Sequence, residues 1–147
     1  MLARFTNLET LFLSKLDVAD DILPSIIKNW HLTSLVLNET KVTPEGFKAC
    51  LKVMDSSEVT RLCYYGDHLS DDDVECLLQF PNLDHLWLDG GEFTDVSIET
   101  FGKMTNLTFF VIYEPGFTEA GIERLKEALP LCEITIQTES DDDSEIE

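Results

Sequence analysis

The sequence predicts an α/β solenoid, a short horseshoe with a parallel β-sheet on its concave face and helices along its convex face. Three observations predict it. The first is a rung of apolar residues at positions one, four and six, repeated six times: Leu8, Leu11, Leu13; Leu32, Leu35, Leu37; Val59, Leu62, Tyr64; Leu83, Leu86, Leu88; Leu107, Phe110, Ile112; Leu131, Ile134, Ile136. The rungs start at 8, 32, 59, 83, 107 and 131, steps of 24, 27, 24, 24 and 24 residues, and such a period marks stacked units that bury a core between neighbours. The second is one further apolar residue ten positions after a rung begins: Val18, Val42, Leu69, Phe93, Phe117. In four units a hydroxyl follows (Thr43, Ser70, Thr94, Thr118) and then proline or an acid (Pro44, Asp71, Asp95, Glu119). A hydroxyl that accepts from free amides, with proline or an acid in the next position, starts a helix. The third is apolar spacing of three or four after each such start: Phe47, Cys50, Leu51; Val74, Leu77, Leu78; Ile98, Phe101; Ile122, Leu125. That spacing suits one buried helix face. Together these give five full repeats and a terminal strand.

Taken in order, residues 2–7 parallel residues 77–82, so the chain opens inside a repeat, without the polar cap that a terminal repeat needs. The edge so exposed is a place for another chain, or another copy of this one, to associate. Pro24 falls within the helical stretch of the first repeat and predicts a short or displaced helix. The three extra residues between rungs two and three fall at Met54–Glu58 and predict a longer loop there. Gly90-Gly91 reads as a turn. The repeat domain spans 1–138. Residues 139–147 are too acidic to bury a core and are expected to be disordered.

A chain of 147 residues with 44% hydrophobic content fits one domain. Its charge is extreme: 29 acids against 10 bases give −19, with six of the acids in residues 139–147. Such a field repels phosphate backbones and anionic membranes, so neither nucleic acid nor membrane is the expected partner. Cys50, Cys63, Cys76 and Cys132 lack the paired spacing of a zinc site and are sparse for a disulfide-stapled domain. They read as reduced thiols. With no signal-like apolar core near Met1 and no run of membrane-spanning length, a cytoplasmic setting is expected.

Little in the sequence points to chemistry. Asp71–Asp73 sits at a helix start and lacks the ligand spacing of a calcium loop, so no metal is expected. No glycine-rich phosphate cradle is present, and no cofactor is expected. His85 follows Asp84, but neighbours along a strand face opposite ways and should not pair. Cys63 is the one cysteine placed near solvent, one strand away from His85, and that offset makes a cysteine-dependent enzyme the weakest reading.

Leu32-Thr-Ser-Leu35-Val-Leu37, followed by Thr40-Lys-Val42-Thr-Pro-Glu-Gly46-Phe47, and the parallel Phe117-Thr-Glu-Ala-Gly121-Ile122, resemble the leucine-rich repeat family. The resemblance covers residues 2–138, and its second half is similar to the subclass in the recognition arms of F-box adaptors and in bacterial repeat arrays. It implies the horseshoe fold and is silent on the ligand. One departure is clear. The family often places asparagine or cysteine at the ninth position to satisfy the turn, whereas this chain has Leu16, Thr40, Asp67, Gly91 and Pro115. Its turn amides must find other partners.

In stacked parallel strands equivalent positions form columns about 4.8 Å apart, and positions three, five and seven face the concave side. The third column runs Thr10, Ser34, Arg61, His85, Phe109, Glu133; the fifth Phe12, Val36, Cys63, Trp87, Val111, Thr135; the seventh Ser14, Asn38, Tyr65, Asp89, Tyr113, Gln137. A solvated sheet face would be polar, yet this one carries Phe12, Tyr65, Trp87, Phe109 and Tyr113. Aromatic side chains of this kind dominate binding hot spots. The sequence therefore predicts a non-catalytic module that binds a protein or peptide on its concave face, centred on Trp87, with Phe12, Arg61, Tyr65, His85, Asp89, Phe109, Val111 and Tyr113 around it. The alternative is a piece of a larger scaffold or adaptor whose main surface lies in other repeats.

Overall fold

The computed structural model describes residues 8–66, 69–89, 91–113 and 115–137. The expectations for residues 2–7, Asp67, His68 and Gly90, and for the acidic segment 139–147, lie outside these. Six parallel strands form one sheet in sequence order: β1 (Thr10–Ser14), β2 (Ser34–Asn38), β3 (Arg61–Tyr65), β4 (His85–Asp89), β5 (Phe109–Tyr113) and β6 (Glu133–Gln137). The register aligns equivalent positions, as the columns require: Thr10, Ser34, Arg61, His85, Phe109 and Glu133 lie side by side.

Rung positions four and six are fully buried in the middle strands, among them Leu35, Leu37, Leu62, Tyr64, Leu86, Leu88, Phe110 and Ile112. Position one faces the same core at Leu32, Val59, Leu83 and Leu107, although strict alternation would turn it outward. The strand entrances explain this. The carbonyl of Glu9 accepts from both Thr33 and Ser34 N–H (2.8 and 3.1 Å), that of Thr33 from Thr60 and Arg61, that of Thr60 from Asp84 and His85, and that of Asp84 from Thr108 and Phe109. Two amides share one acceptor, as in a bulge, so the chain kinks and the alternation restarts behind it. Tyr64 replaces leucine at a sixth position, stacks on Phe47 (centroids 4.6 Å apart) and donates its hydroxyl to the Val42 carbonyl at 2.8 Å, so its one polar atom is satisfied inside the core.

Four helices return along the convex side: α1 (Leu23–Ile27), α2 (Pro44–Val53), α3 (Asp95–Phe101) and α4 (Glu119–Ala128). α1 is short, as Pro24 predicts, and the proline lies in its first turn, where its missing N–H costs nothing. Met54–Glu58 forms the longer loop, closed by Asp55, whose carboxylate accepts the Ser57 amide (3.0 Å) and hydroxyl (2.7 Å). A buried apolar residue ends each convex segment (Trp30, Met54, Phe80, Met104, Leu129) and seals the core from below.

The third repeat corrects the sequence reading. Instead of one α-helix, Asp71–Asp73 and Glu75–Gln79 form two 3₁₀ turns, and Leu78, assigned to the core, is exposed. The i→i+3 bonds Asp73 N–H to Ser70 O, Leu77 N–H to Val74 O and Phe80 N–H to Leu77 O wind the segment more tightly, which turns Leu78 away from the sheet. Leu131 is also corrected. It opens the last rung but is 90% exposed, because no described repeat packs beyond it; Ile134 and Ile136 are half-buried for the same reason.

The helix starts carry a feature absent from any single repeat. Asp20 accepts the amide and hydroxyl of Thr43 (2.8 and 2.6 Å), Asp71 those of Thr94 (2.8 and 2.5 Å), and Asp95 those of Thr118 (2.9 and 2.7 Å). Each acid belongs to the repeat before the threonine it clasps. In two of the three, glycine makes room for the clasp: a Cβ on Gly46 would lie 1.8 Å from Asp20 Oδ1, and one on Gly121 would lie 2.2 Å from Asp95 Oδ1. The equivalent acid position in the second repeat is Pro44, which has no carboxylate to offer. Ser70 is accordingly bonded within its own repeat, its amide and hydroxyl going to Asp73 (2.9 and 2.8 Å), and Asp73 is also paired with Lys48.

A second ladder serves the ninth-position turns. Lys15 N–H donates to Asn38 O and Glu39 N–H to Tyr65 O (both 2.9 Å), while Gly116 N–H donates to Phe93 O (2.8 Å). Backbone of adjacent repeats thus satisfies amides that flank the ninth position.

Candidate functional site

The concave face divides into a ridge and a groove. The ridge stands on β4 and β5. Trp87 and Phe109 are tilted against each other with centroids 5.0 Å apart, and His85 stacks against both at 5.9 Å. Trp87 has Cys63 on one neighbouring strand and Val111 on the other, and these short side chains leave the indole room to lie across the sheet. Beside it, Tyr65 of β3 and Tyr113 of β5 meet at 5.4 Å although β4 runs between their strands, so both rings lean over the intervening Asp89. Burial and then the hydrogen bond with Tyr113 hold the Tyr65 phenol well above its ordinary pKa. Both rings are half-exposed.

The groove lies over β1–β3. Its volume is about 330 Å³, and it has two banks: a polar one of Thr10, Ser34 and Arg61, and an apolar one of Phe12, Val36, Cys63 and Trp87. Phe12 is 63% exposed at the far end, whereas Trp87 walls the groove from the ridge. Of the residues that line the groove, the sequence columns placed Phe12, Arg61, Tyr65 and Trp87 among the site residues. The signal that distinguishes the rest is side-chain length, since the short Ser34, Val36 and Cys63 lie between longer neighbours and form a floor.

Several expectations change at this face. Val111 and Cys63 are buried, shadowed by the Trp87 indole and by the long side chains two residues before and after them. Cys63 is thus not the solvent-facing thiol; Cys76 and Cys132 are the partly exposed ones, and all four cysteines are free. Burial, with the charge of Asp89 in support, pushes the Cys63 thiol up to about 12, which opposes nucleophile formation at neutral pH. Asp84 and His85 do pair, Oδ1 to Nδ1 at 2.7 Å. β4 begins at His85, so Asp84 sits at the kinked entrance, where the alternation that would separate them does not apply. The carboxylate orients the imidazole for its stack on Trp87 and Phe109.

Two of the aspartates at 71–73 are engaged as described: Asp71 clasps Thr94 and Asp73 binds Ser70 and Lys48. Among the described residues no group of three His, Cys, Asp or Glu side chains converges as a metal would need. No helix among them is long and apolar enough to cross a membrane.

No family model matches the chain, and no curated protein does. Solved structures do. Six parallel strands in sequential order, each returning through a convex segment to a register-matched neighbour, are the leucine-rich repeat fold, and this chain has it. A leucine-rich repeat protein of Leptospira interrogans superimposes with a TM-score of 0.61 at 17% identity, over 90% of this chain and 32% of its own. An internalin of Listeria monocytogenes does so with a TM-score of 0.58 at 20% identity, over 91% of this chain and 36% of its own. The chain thus spans about a third of the length of either neighbour.

Proposed function

We propose that this chain is a non-catalytic interaction module that binds a protein or peptide on its concave face, with Trp87 at the centre. The observation that carries the reading is the half-exposed aromatic cluster of Trp87, Phe109 and His85, backed by the Tyr65–Tyr113 pair, on the concave sheet face. Rings already packed against one another lose little freedom on binding, which favours affinity. The contact set around them is Phe12, Arg61, Asp89 and Tyr113, with Val111 acting as support beneath Trp87. The buried, high-pKa Cys63 makes no hydrogen bond with His85, which supports a role without catalysis. A net charge of −19 speaks against nucleic acid and anionic membranes as partners, and four free cysteines fit a reducing, cytoplasmic setting.

A larger scaffold of which this is one portion is the second reading, and the coverage of the structural neighbours favours it. The test is the double variant Trp87→Ala and Tyr113→Ala in a pull-down from native extract, with circular dichroism to verify the fold. Truncating a hot-spot aromatic typically removes about 2 kcal/mol or more of binding, so the partners recovered by the wild type should be lost. Undiminished recovery with the fold intact would sink the reading.

A further inference from the structure

Arg61 is the only lysine or arginine on the six strands, and it is exposed at the polar bank of the groove. Acids outnumber bases 29 to 10, and Lys15, Lys41, Lys48, Lys103 and Arg124 all pair with carboxylates. Arg61 has no ion-pair partner among the described residues. Its register neighbour Ser34 is 5% exposed, and the Ser34 hydroxyl is buried without a hydrogen-bond partner. A buried donor left unmet costs about 1–3 kcal/mol. A cation without an anion and a hydroxyl without an acceptor therefore stand side by side on one bank, facing an apolar bank two positions further along the strands.

We infer that the groove takes an extended peptide segment of a partner, with an acidic side chain two residues from an apolar one. The carboxylate lies on Arg61 and accepts from Ser34. The apolar side chain lies over Val36 and Cys63, between Phe12 and Trp87. The spacing supports this occupant. The banks are two strand residues apart, roughly 6.6 Å, and side chains at i and i+2 of an extended peptide share one face at the same separation. A basic peptide would leave Arg61 and Ser34 unmet. The inference rests on the proposal that the concave face is a docking surface and adds the chemistry of what docks.

The test is selection of a random heptapeptide display library on the full chain, followed by fluorescence anisotropy with the enriched peptide and with its version carrying the amide in place of the acid. The expected consensus is an acid two positions from leucine, isoleucine or an aromatic residue. The amide version should bind about tenfold more weakly, the scale of a charge-assisted hydrogen bond. Arg61→Met should weaken the acidic peptide by a similar factor and leave the amide version unchanged; Arg61 is exposed, so the core is untouched. A consensus without an acid, or equal weakening of both peptides by Arg61→Met, overturns the inference. If such peptides still lose binding with Trp87→Ala, the docking face survives and only the carboxylate assignment falls. Enriched peptides indifferent to Trp87→Ala overturn both. Binding seen only after removal of residues 139–147 overturns the inference in favour of the chain's own acidic segment.

Discussion

The Asp95 carboxylate accepts from the Thr118 hydroxyl, the Thr118 amide and Arg124, and in that order of importance the two Thr118 bonds and the arginine hold its pKa below the usual carboxylate range. A group whose folded pKa is depressed contributes stability above its unfolded pKa and loses it as pH falls through the folded value. Asp95→Asn should therefore lower the urea midpoint at neutral pH, and the gap to wild type should close as the pH falls below the ordinary carboxylate range. A gap independent of pH would show that the lost shape, and not the charge, is responsible. None of this was legible at the residue itself. Thr118-Glu119 announced a helix start, but the acid that completes it stands 23 residues earlier, across a repeat boundary. The Asp84–His85 contact was misread for a related reason: the two-residue alternation was applied at a position that precedes its strand.

Among the elements, the third repeat departs most from its siblings, although Ser70-Asp71 carries the same helix-start signal as Thr94-Asp95. What differs is the repeat before it, where Pro44 offers no carboxylate, and the third residue after the hydroxyl, which is Asp73 here and Ser97 after Thr94. Gly46 and Gly121 leave that place open to the acid of the preceding repeat, whereas Asp73 fills it with its own side chain, folded back on Ser70 and paired with Lys48. Asp73→Ala should cost about 1–2 kcal/mol, the scale of a lost cap plus a stranded partner. Asp72→Ala, one residue earlier on an exposed side chain, should stay within about 0.5 kcal/mol. Denaturant midpoints of the two variants decide it, and equal effects would refute the account. The strands, by contrast, were legible almost residue by residue, because their pairing repeats a pattern that the rungs print directly in the sequence.

For the whole molecule, period and order went together: once the rungs were aligned, the sheet order, the register and the concave columns followed. The division of that face into ridge and groove did not, since it depends on which rings lean across strands, as Tyr65 and Tyr113 do over Asp89. The net charge acts at this scale as well. With −19 on the chain, like charges repel across the solenoid. Raising salt from about 0.1 M to about 1 M shortens the screening length from about 10 Å to about 3 Å, so the thermal midpoint should rise; a fall would mean that the surface ion pairs outweigh the repulsion. The clasps add a direction, for each runs from one repeat to its successor. A copy in tandem of the fourth unit would bring both halves of this contact with it, the acid Asp95 that it offers and the hydroxyl of Thr94 that it presents. Where Pro44 interrupts the succession, the next unit caps its own hydroxyl through Asp73, and the tie to the unit before it passes to Lys48 instead.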